Sequence, residues 1–341
     1  MKILIIGAGS WGTTLAFMLA EKGYSINIWS RENDVIADIN NNRRNHKYTS
    51  GLCLHDKIKA FGDCDKNGIL KSGTGFDIIV FAVPSEYLRQ VSTGFKEFLQ
   101  NLPDTINAVV NAAKGIELKT NLRMSQVLSE TLPKELISII STLSGPNISS
   151  EIIKKLPSVS TIASKNKKVL VYLQPVLSTD YFRVYTNDDL TGVEICGSVK
   201  NIIAIAAGIS DGLGFGSNTK ASLITRGLYE LTKFGKKFGA KTSTFSGAAG
   251  IGDLITTCIS TNSRNRFVGE RIAKGEKIKD ITENMYMVAE GVTTTKAVYE
   301  MSKELNIELP ITECVYNVLY KNADPLKSVK ILMTRKFKSE N

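Results

Sequence analysis

A chain of 341 residues is long enough for about two domains, each with a core of its own. With 43% hydrophobic and 22% charged residues, its composition excludes a disordered or fibrous chain. The net charge of +10 is spread out, with no basic block or arginine-rich arm, so it speaks against nucleic acid and suits a small anionic substrate or cofactor.

In chain order, short β-rich runs alternate with amphipathic stretches over the first half. Strands are predicted at Lys2–Ile6, Ser25–Trp29, Lys57–Phe61, Asp77–Val83, Ile106–Asn111, Ser138–Leu143, Ser158–Ala163 and Phe182–Tyr185. Helices are predicted between most of them, such as Gly12–Lys22, Ser85–Leu99 and Met124–Thr131. Runs such as IIVFAV are apolar without alternation, as in strands covered on both faces, so the expectation is an α/β fold with a doubly wound, mainly parallel Rossmann-type sheet. After Asp189 the pattern turns all-helical: Leu190–Ser210, Lys220–Phe238, Ile251–Thr257, Asn265–Lys274, Thr293–Leu305 and Ile311–Tyr320. The expected division is residues 1–189 as a dinucleotide-binding domain and 190–341 as a helical substrate domain. The tail TRKFKSEN is expected to be loosely ordered.

Cys53, Cys64, Cys196, Cys258 and Cys314 form no CxxC pair, which argues for reduced thiols and against a disulfide frame or a metal site. The apolar run after Lys2 is cut by glycines too early for a secretion signal, and Ile202–Ile209 is too short to cross a bilayer. A cytoplasmic protein without stable membrane insertion is expected. His46 and His55 are the only histidines, so acid–base chemistry further along falls to Lys, Asp, Glu, Tyr or Cys.

GAGSWG, Gly7 to Gly12, fits GxGxxG between the first strand and the first helix. Gly7 permits the turn, Gly9 lets a pyrophosphate approach, Gly12 lets helix and strand pack, and the helix N-terminus faces the phosphates. The second strand ends in Ser30 and Arg31 where an NAD-specific site would carry an acid, with Glu32 just beyond. A guanidinium there pairs with a 2′-phosphate, so NADP(H) is favoured and NAD(H) stays open.

Four further stretches carry chemistry. Lys114 follows the fifth strand at a carboxyl end, where open α/β sheets bind ligands, and Gly145 holds the equivalent place after the next. Asp253 follows the glycine-dense GAAGIG, and Ser263 to Arg266, SRNR, sets hydroxyl, guanidinium and amide together at a helix start, which suits a phosphate. In GSVKNIIAIAAG, Lys200 shares its helical face with Gly197, Ala204, Ala207 and Gly208. Either that helix packs tightly, or the cleared face is kept for a ligand.

Together GAGSWGTTLA, NAAKGIE, LSGPN, GSVKNIIAIAAG, GIGDL, TCISTNSRNRFVG and VAEGVTTT resemble NAD(P)-dependent glycerol-3-phosphate dehydrogenase of the bacterial type, in motif order over nearly the whole chain. The resemblance implies that Ser10, Trp11, Arg31, Ser149, Val288 and Glu290 contact the cofactor. It implies that Lys114, Gly145, Asn147, Asp253, Ser263 and Asn265 line a phosphate-bearing substrate, that Lys114 and Arg264 touch both ligands, and that Lys200 transfers the proton. On it, burial and the charge of Lys114 favour neutral Lys200, with Asp253 opposing, and the hollow beside Lys200 receives substrate and nicotinamide. Two positions depart from the pattern: Asn147 stands where Ser or Thr is usual, and Ser149 where Ala is usual. A supply of glycerol 3-phosphate for phospholipid synthesis and a homodimer are implied by the resemblance alone.

The rival expectations are weaker. YxxxK of short-chain dehydrogenases fits both Tyr229–Lys233 and Tyr299–Lys303, which shows how easily it arises. Other two-domain dehydrogenases, acting on hydroxy acids or ketopantoate, would not need the phosphate-suited SRNR. A non-catalytic NADPH-binding sensor would keep GAGSWG without Lys114, Lys200 and Asp253.

Overall fold

A computed structural model describes residues 1–71, 75–102, 105–285, 288–337 and 339. Positions 338, 340 and 341, at the end of the tail expected to be loose, lie outside them. The chain divides into two compact units, residues 1–114 with 122–194 and residues 115–121 with 195–341.

The first unit runs β1 (Lys2–Ile6), α1 (Ser10–Glu21), β2 (Ser25–Trp29), α2 (Asn33–Asn42), β3 (Ile58–Phe61), α3 (Lys66–Lys71), β4 (Ile78–Phe81), α4 (Leu88–Gln100), β5 (Ala108–Asn111), α5 (Met124–Thr131), α6 (Lys134–Ile137), β6 (Ile140–Ser144), α7 (Ser149–Ile153), β7 (Ser158–Ala163), α8 (Lys167–Leu177) and β8 (Phe182–Asn187). The strands form one sheet in the order β3-β2-β1-β4-β5-β6-β7-β8. All neighbours are parallel except β6 and β7, where Leu143 faces Ile162 in antiparallel register. Both faces of the sheet are covered. Ile3 and Ile5 enter one core with Leu15, Leu19 and Leu173, while Leu4 and Ile6 enter the other with Phe95, Val127 and Leu128. Each such side chain contributes about 1.5–3 kcal/mol by leaving water, which is why these strands show no polar alternation.

The second unit takes most of α9 (Leu190–Gly212), then α10 (Ser217–Lys236), α11 (Thr242–Phe245), α12 (Asp253–Ile259), α13 (Arg264–Ala273), α14 (Ile278–Glu283), α15 (Glu290–Glu304), α16 (Pro310–Lys321) and α17 (Pro325–Met333). No strand occurs in it among the described residues. The helix α9 is long and apolar enough to cross a membrane, but nearly all of it is buried within the chain. Val199, Ile202, Ile203 and Ile205 form the centre of this unit's core. The boundary between the units falls inside α9, after Glu194, rather than at the strand-to-helix change near Leu190.

Three back-half helices lie beyond those predicted: α11, α14 and α17. The start of α17 carries a readable signal, Asp324 capping the Lys327 amide and Pro325 in the first turn.

Candidate active site

The glycine turn is built as its spacing requires. Gly7 has φ +118°, and a Cβ there would lie 2.6 Å from the Ala82 carbonyl oxygen. At Gly12 a Cβ would stand 1.9 Å from the Gly7 carbonyl oxygen, so only glycine lets α1 spring from β1 at this angle. Gly9 differs, because a Cβ there would meet nothing within 4 Å. That space lies at the N-terminus of α1, whose first turn holds no acidic residue and whose cap, Gly9, offers no side chain. Trp11 Nε1 is buried without a hydrogen-bond partner. Free amides, a positive helix end, open space and an orphaned donor fit the phosphates of a dinucleotide.

Arg31 is exposed at the end of β2, its guanidinium 5.1 Å from the centre of the Tyr87 ring. Glu32 is committed elsewhere, accepting from Lys47 Nζ at 3.1 Å and Tyr48 OH at 3.1–3.2 Å. The carboxylate that could have served a ribose 2′-hydroxyl is thus already neutralised.

At the carboxyl ends of β5 and β6, Lys114 Nζ donates to the Gly145 carbonyl oxygen at 2.9 Å. Gly145 has φ +149°, which favours glycine. Asn147 gives one N–H to Ser160 Oγ at 3.2 Å, and its buried Oδ1 has no hydrogen-bond partner. Ser149 is the first residue of α7.

In the second unit Lys200 is 5% exposed and Asp253 1%. They form a buried ion pair, and Lys200 Nζ also donates to Thr257 Oγ1 at 2.8 Å. Thr257 in turn donates to the Asp253 carbonyl oxygen at 2.6 Å. Asp253 opens α12 after a π-turn over Ala248–Gly252, where Gly250 has φ −90° and ψ −105°. A Cβ at Gly250 would lie 2.2 Å from the Phe245 carbonyl oxygen, so the glycine-dense loop is what aims Asp253. Thr257 was not foreseen, though the signal was present: it is four residues after Asp253 on one helix face.

The cleared face of α9 needs a correction. Gly208 makes no hollow for a ligand, because a Cβ there would stand 1.9 Å from the Arg266 carbonyl oxygen. Gly269 of α13 meets the Ile205 carbonyl oxygen in the same way, at 2.1 Å. Ala204 and Ala207 are fully buried. Gly208 and Gly269 bring α9 and α13 into close packing, and Lys200 stays inside because Asp253 and Thr257 receive it.

The SRNR stretch opens α13. Ser263 is its N-cap, accepting from the Arg266 amide at 3.3 Å. Arg264 donates to the Val288 carbonyl oxygen at 2.9 Å, just ahead of Glu290 at the start of α15. Neighbouring protein atoms lower the Arg264 pKa and the charge of Glu290 opposes that fall, but the side chain is exposed to solvent and the guanidinium stays charged. Asn265 donates to Asn201 Oδ1 at 2.9 Å and accepts from the Gly291 amide at 2.8 Å, tying three helices together. Its amide is thereby spent at least partly on structure.

A Rossmann-type sheet opened by a dinucleotide turn, with a buried lysine–aspartate pair in a helical unit, defines a nicotinamide-dependent oxidoreductase. Residues 2–170 match the N-terminal and residues 189–330 the C-terminal description of NAD-dependent glycerol-3-phosphate dehydrogenase. The chain belongs to this family. It is 46% identical over its full length to all of a Solidesulfovibrio magneticus protein named glycerol-3-phosphate dehydrogenase (NAD(P)+). A Chlorobium limicola protein of the same name is 45% identical, over 100% of this chain and 99% of that one. The crystal structure of glycerol-3-phosphate dehydrogenase from Coxiella burnetii superposes with a TM-score of 0.89 at 36% identity, covering 98% of this chain and 99% of that one.

Proposed function

We propose that the chain reduces dihydroxyacetone phosphate to sn-glycerol 3-phosphate, reversibly, with NADPH favoured over NADH. The observation that carries this assignment is the buried Lys200 ammonium held by Asp253 and Thr257. The residues of the glycine turn, with Ser10, Trp11, Arg31, Ser149, Val288 and Glu290, hold the dinucleotide, which when bound supplies a hydride. Lys200 stabilises the negative charge that develops on the C2 oxygen and delivers a proton to it from Nζ, help worth on the order of a hundred- to ten-thousand-fold. Lys114 adds positive charge and, through the Gly145 carbonyl, keeps a fixed direction. Arg264, with Ser263 and Asn265 at the N-terminus of α13, binds the phosphate, and that remote binding orients the reacting carbon. Gly145 and Asn147 complete the substrate lining. Asp253 positions Lys200.

The same proposal assigns residues 1–189 mainly to the dinucleotide and 190–341 mainly to the substrate, and places a homodimer in the cytoplasm, supplying glycerophospholipid synthesis. Its test follows NADPH fluorescence after addition of dihydroxyacetone phosphate to the wild type and to Lys200→Ala. Rapid loss in the wild type alone is expected. Persistent fluorescence in both, with NADPH bound, would instead favour a keto-acid substrate or a silent sensor.

A further inference from the structure

The glycine turn answers one need and creates another. Gly9 leaves open space for a phosphate, but glycine adopts positive φ as readily as negative. The peptide between Ala8 and Gly9 can therefore turn over unless something restrains it. A trans peptide is planar, with its carbonyl and its N–H on opposite sides, so the direction of the Ala8 oxygen decides that of the Gly9 amide. One orientation offers an anion a donor, and the other a carbonyl oxygen.

Two buried side chains make that choice. Asn45, fully buried, donates from Nδ2 to the Ala8 carbonyl oxygen at 2.9 Å and to Thr13 Oγ1 at 2.9 Å. Thr13, also fully buried, donates its hydroxyl proton to the same Ala8 oxygen at 3.2 Å. Two donors thus draw the Ala8 oxygen inward, which turns the Gly9 N–H to the opposite side, away from Asn45 and Thr13. Asn45 Oδ1 is buried with no hydrogen-bond partner. An unpaired oxygen of this kind destabilises the fold, so the two N–H groups are what an asparagine contributes here.

The segment that presents Asn45 is itself tied down. The Asn45 carbonyl oxygen accepts from the Tyr48 and Thr49 amides at 3.2 and 2.8 Å, and the carboxylate of Asp38 on α2 accepts from the His46 amide at 2.9 Å. The same segment supplies Lys47 and Tyr48, which engage Glu32. Residues 45–48 therefore brace the glycine turn and the end of β2 together.

We propose that Asn45, with Thr13, is a positioning residue for the dinucleotide, locking the Ala8–Gly9 peptide with its N–H toward the pyrophosphate. This role rests on the dinucleotide lying at the glycine turn, as assigned above.

Isothermal titration of the full chain with NADPH and with adenosine 2′-monophosphate tests it. The mononucleotide carries the 2′-phosphate but no pyrophosphate, so loss of the lock weakens NADPH alone. Asn45→Ala is expected to raise Kd for NADPH about tenfold and to leave Kd for the mononucleotide unchanged. Thr13→Val keeps the shape without the hydroxyl and is expected to raise Kd for NADPH about threefold, while Thr13→Ser restores it. The threonine pair decides the matter even where Asn45→Ala does not fold. Unchanged NADPH affinity in Thr13→Val would overturn the proposal, as would equal losses in Thr13→Val and Thr13→Ser, which would point to packing. Equal weakening of both ligands would make Asn45 a general support of its segment. A wild type that binds the mononucleotide but not NADPH would overturn the placement of the dinucleotide at the turn, and this role with it.

Discussion

The front turn and the Lys200 cluster make their chemistry from opposite materials. At the turn, everything a phosphate would meet is backbone: amides at the start of α1, the open space over Gly9, and a bend that Gly7 and Gly12 alone permit. In the second unit it is side chains, an ammonium locked by a carboxylate and a hydroxyl inside an apolar core. A backbone site depends on the absence of side chains, so its sequence signal is glycine at fixed spacing. A side-chain site depends on partners brought from elsewhere, and Lys200 reaches Asp253 across 53 positions of sequence. The first is vulnerable to added atoms and the second to removed ones.

The largest effect tests the second half of that contrast. Lys200→Ala is expected to lower turnover by about a hundred- to ten-thousand-fold, or about 3–5 kcal/mol in the barrier, while NADPH still binds. Single-turnover rates and a binding titration check both parts, and near-normal turnover would refute the role of Lys200.

Next comes the glycine pair, where one added methyl should act in two ways. Gly12→Ala drives a Cβ into the Gly7 carbonyl and is expected to destabilise the fold by about 3 kcal/mol. Gly9→Ala meets no protein atom, so its melting temperature should stay put while NADPH affinity falls by about tenfold. Equal losses of stability in the two variants would show that the space over Gly9 is not kept for a ligand.

Glu230 extends the contrast to a buried side chain outside the site. Burial outweighs its hydrogen bonds and pushes its pKa up from 4.5 to about 7. The folded chain then keeps a proton that the unfolded chain has lost, so this group's contribution falls as pH rises from about 4.5 to about 7 and levels off above. The span is worth about 1–3 kcal/mol. Glu230→Gln should flatten that part of the melting-temperature profile, and parallel profiles for the two proteins would exclude the group.

Legibility in the sequence follows the same divide. Three of the predicted strands, Lys2–Ile6, Ser25–Trp29 and Ser158–Ala163, have the bounds found in the structure; the first is an apolar block buried from Ile3 onward, while the other two are rich in β-branched residues with polar ones interspersed. The reversal of β7 against β6 was invisible, since direction is set by connections and not by composition. Lys114 and Gly145 were placed by the rule that sites lie at strand ends, and they do meet. The small face of α9 was ambiguous for a physical reason: close helix packing and a ligand hollow call for the same residues, and only the Arg266 backbone opposite Gly208 decides between them. The family motifs marked Ser263 and Asn265, but their bonds to the Arg266 amide, Asn201 and Gly291 could not be read from spacing.

The smallest expected effect lies where the two kinds of site overlap, at Arg31, a side chain at the edge of the backbone-built turn. Its guanidinium rests over the Tyr87 ring, and Glu32 beside it is held by Lys47 and Tyr48. A 2′-phosphate would therefore meet a cation whose neighbouring carboxylate is already paired, whereas a 2′-hydroxyl would have to share Glu32 with Lys47 and Tyr48. Because Arg31 is exposed, solvent screens the pairing, and the preference it confers should stay near tenfold, about 1.4 kcal/mol. Arg31→Ala should raise KM for NADPH by that factor and leave KM for NADH unchanged. A parallel rise for both would make Arg31 a general support of the turn rather than the residue that distinguishes the two dinucleotides.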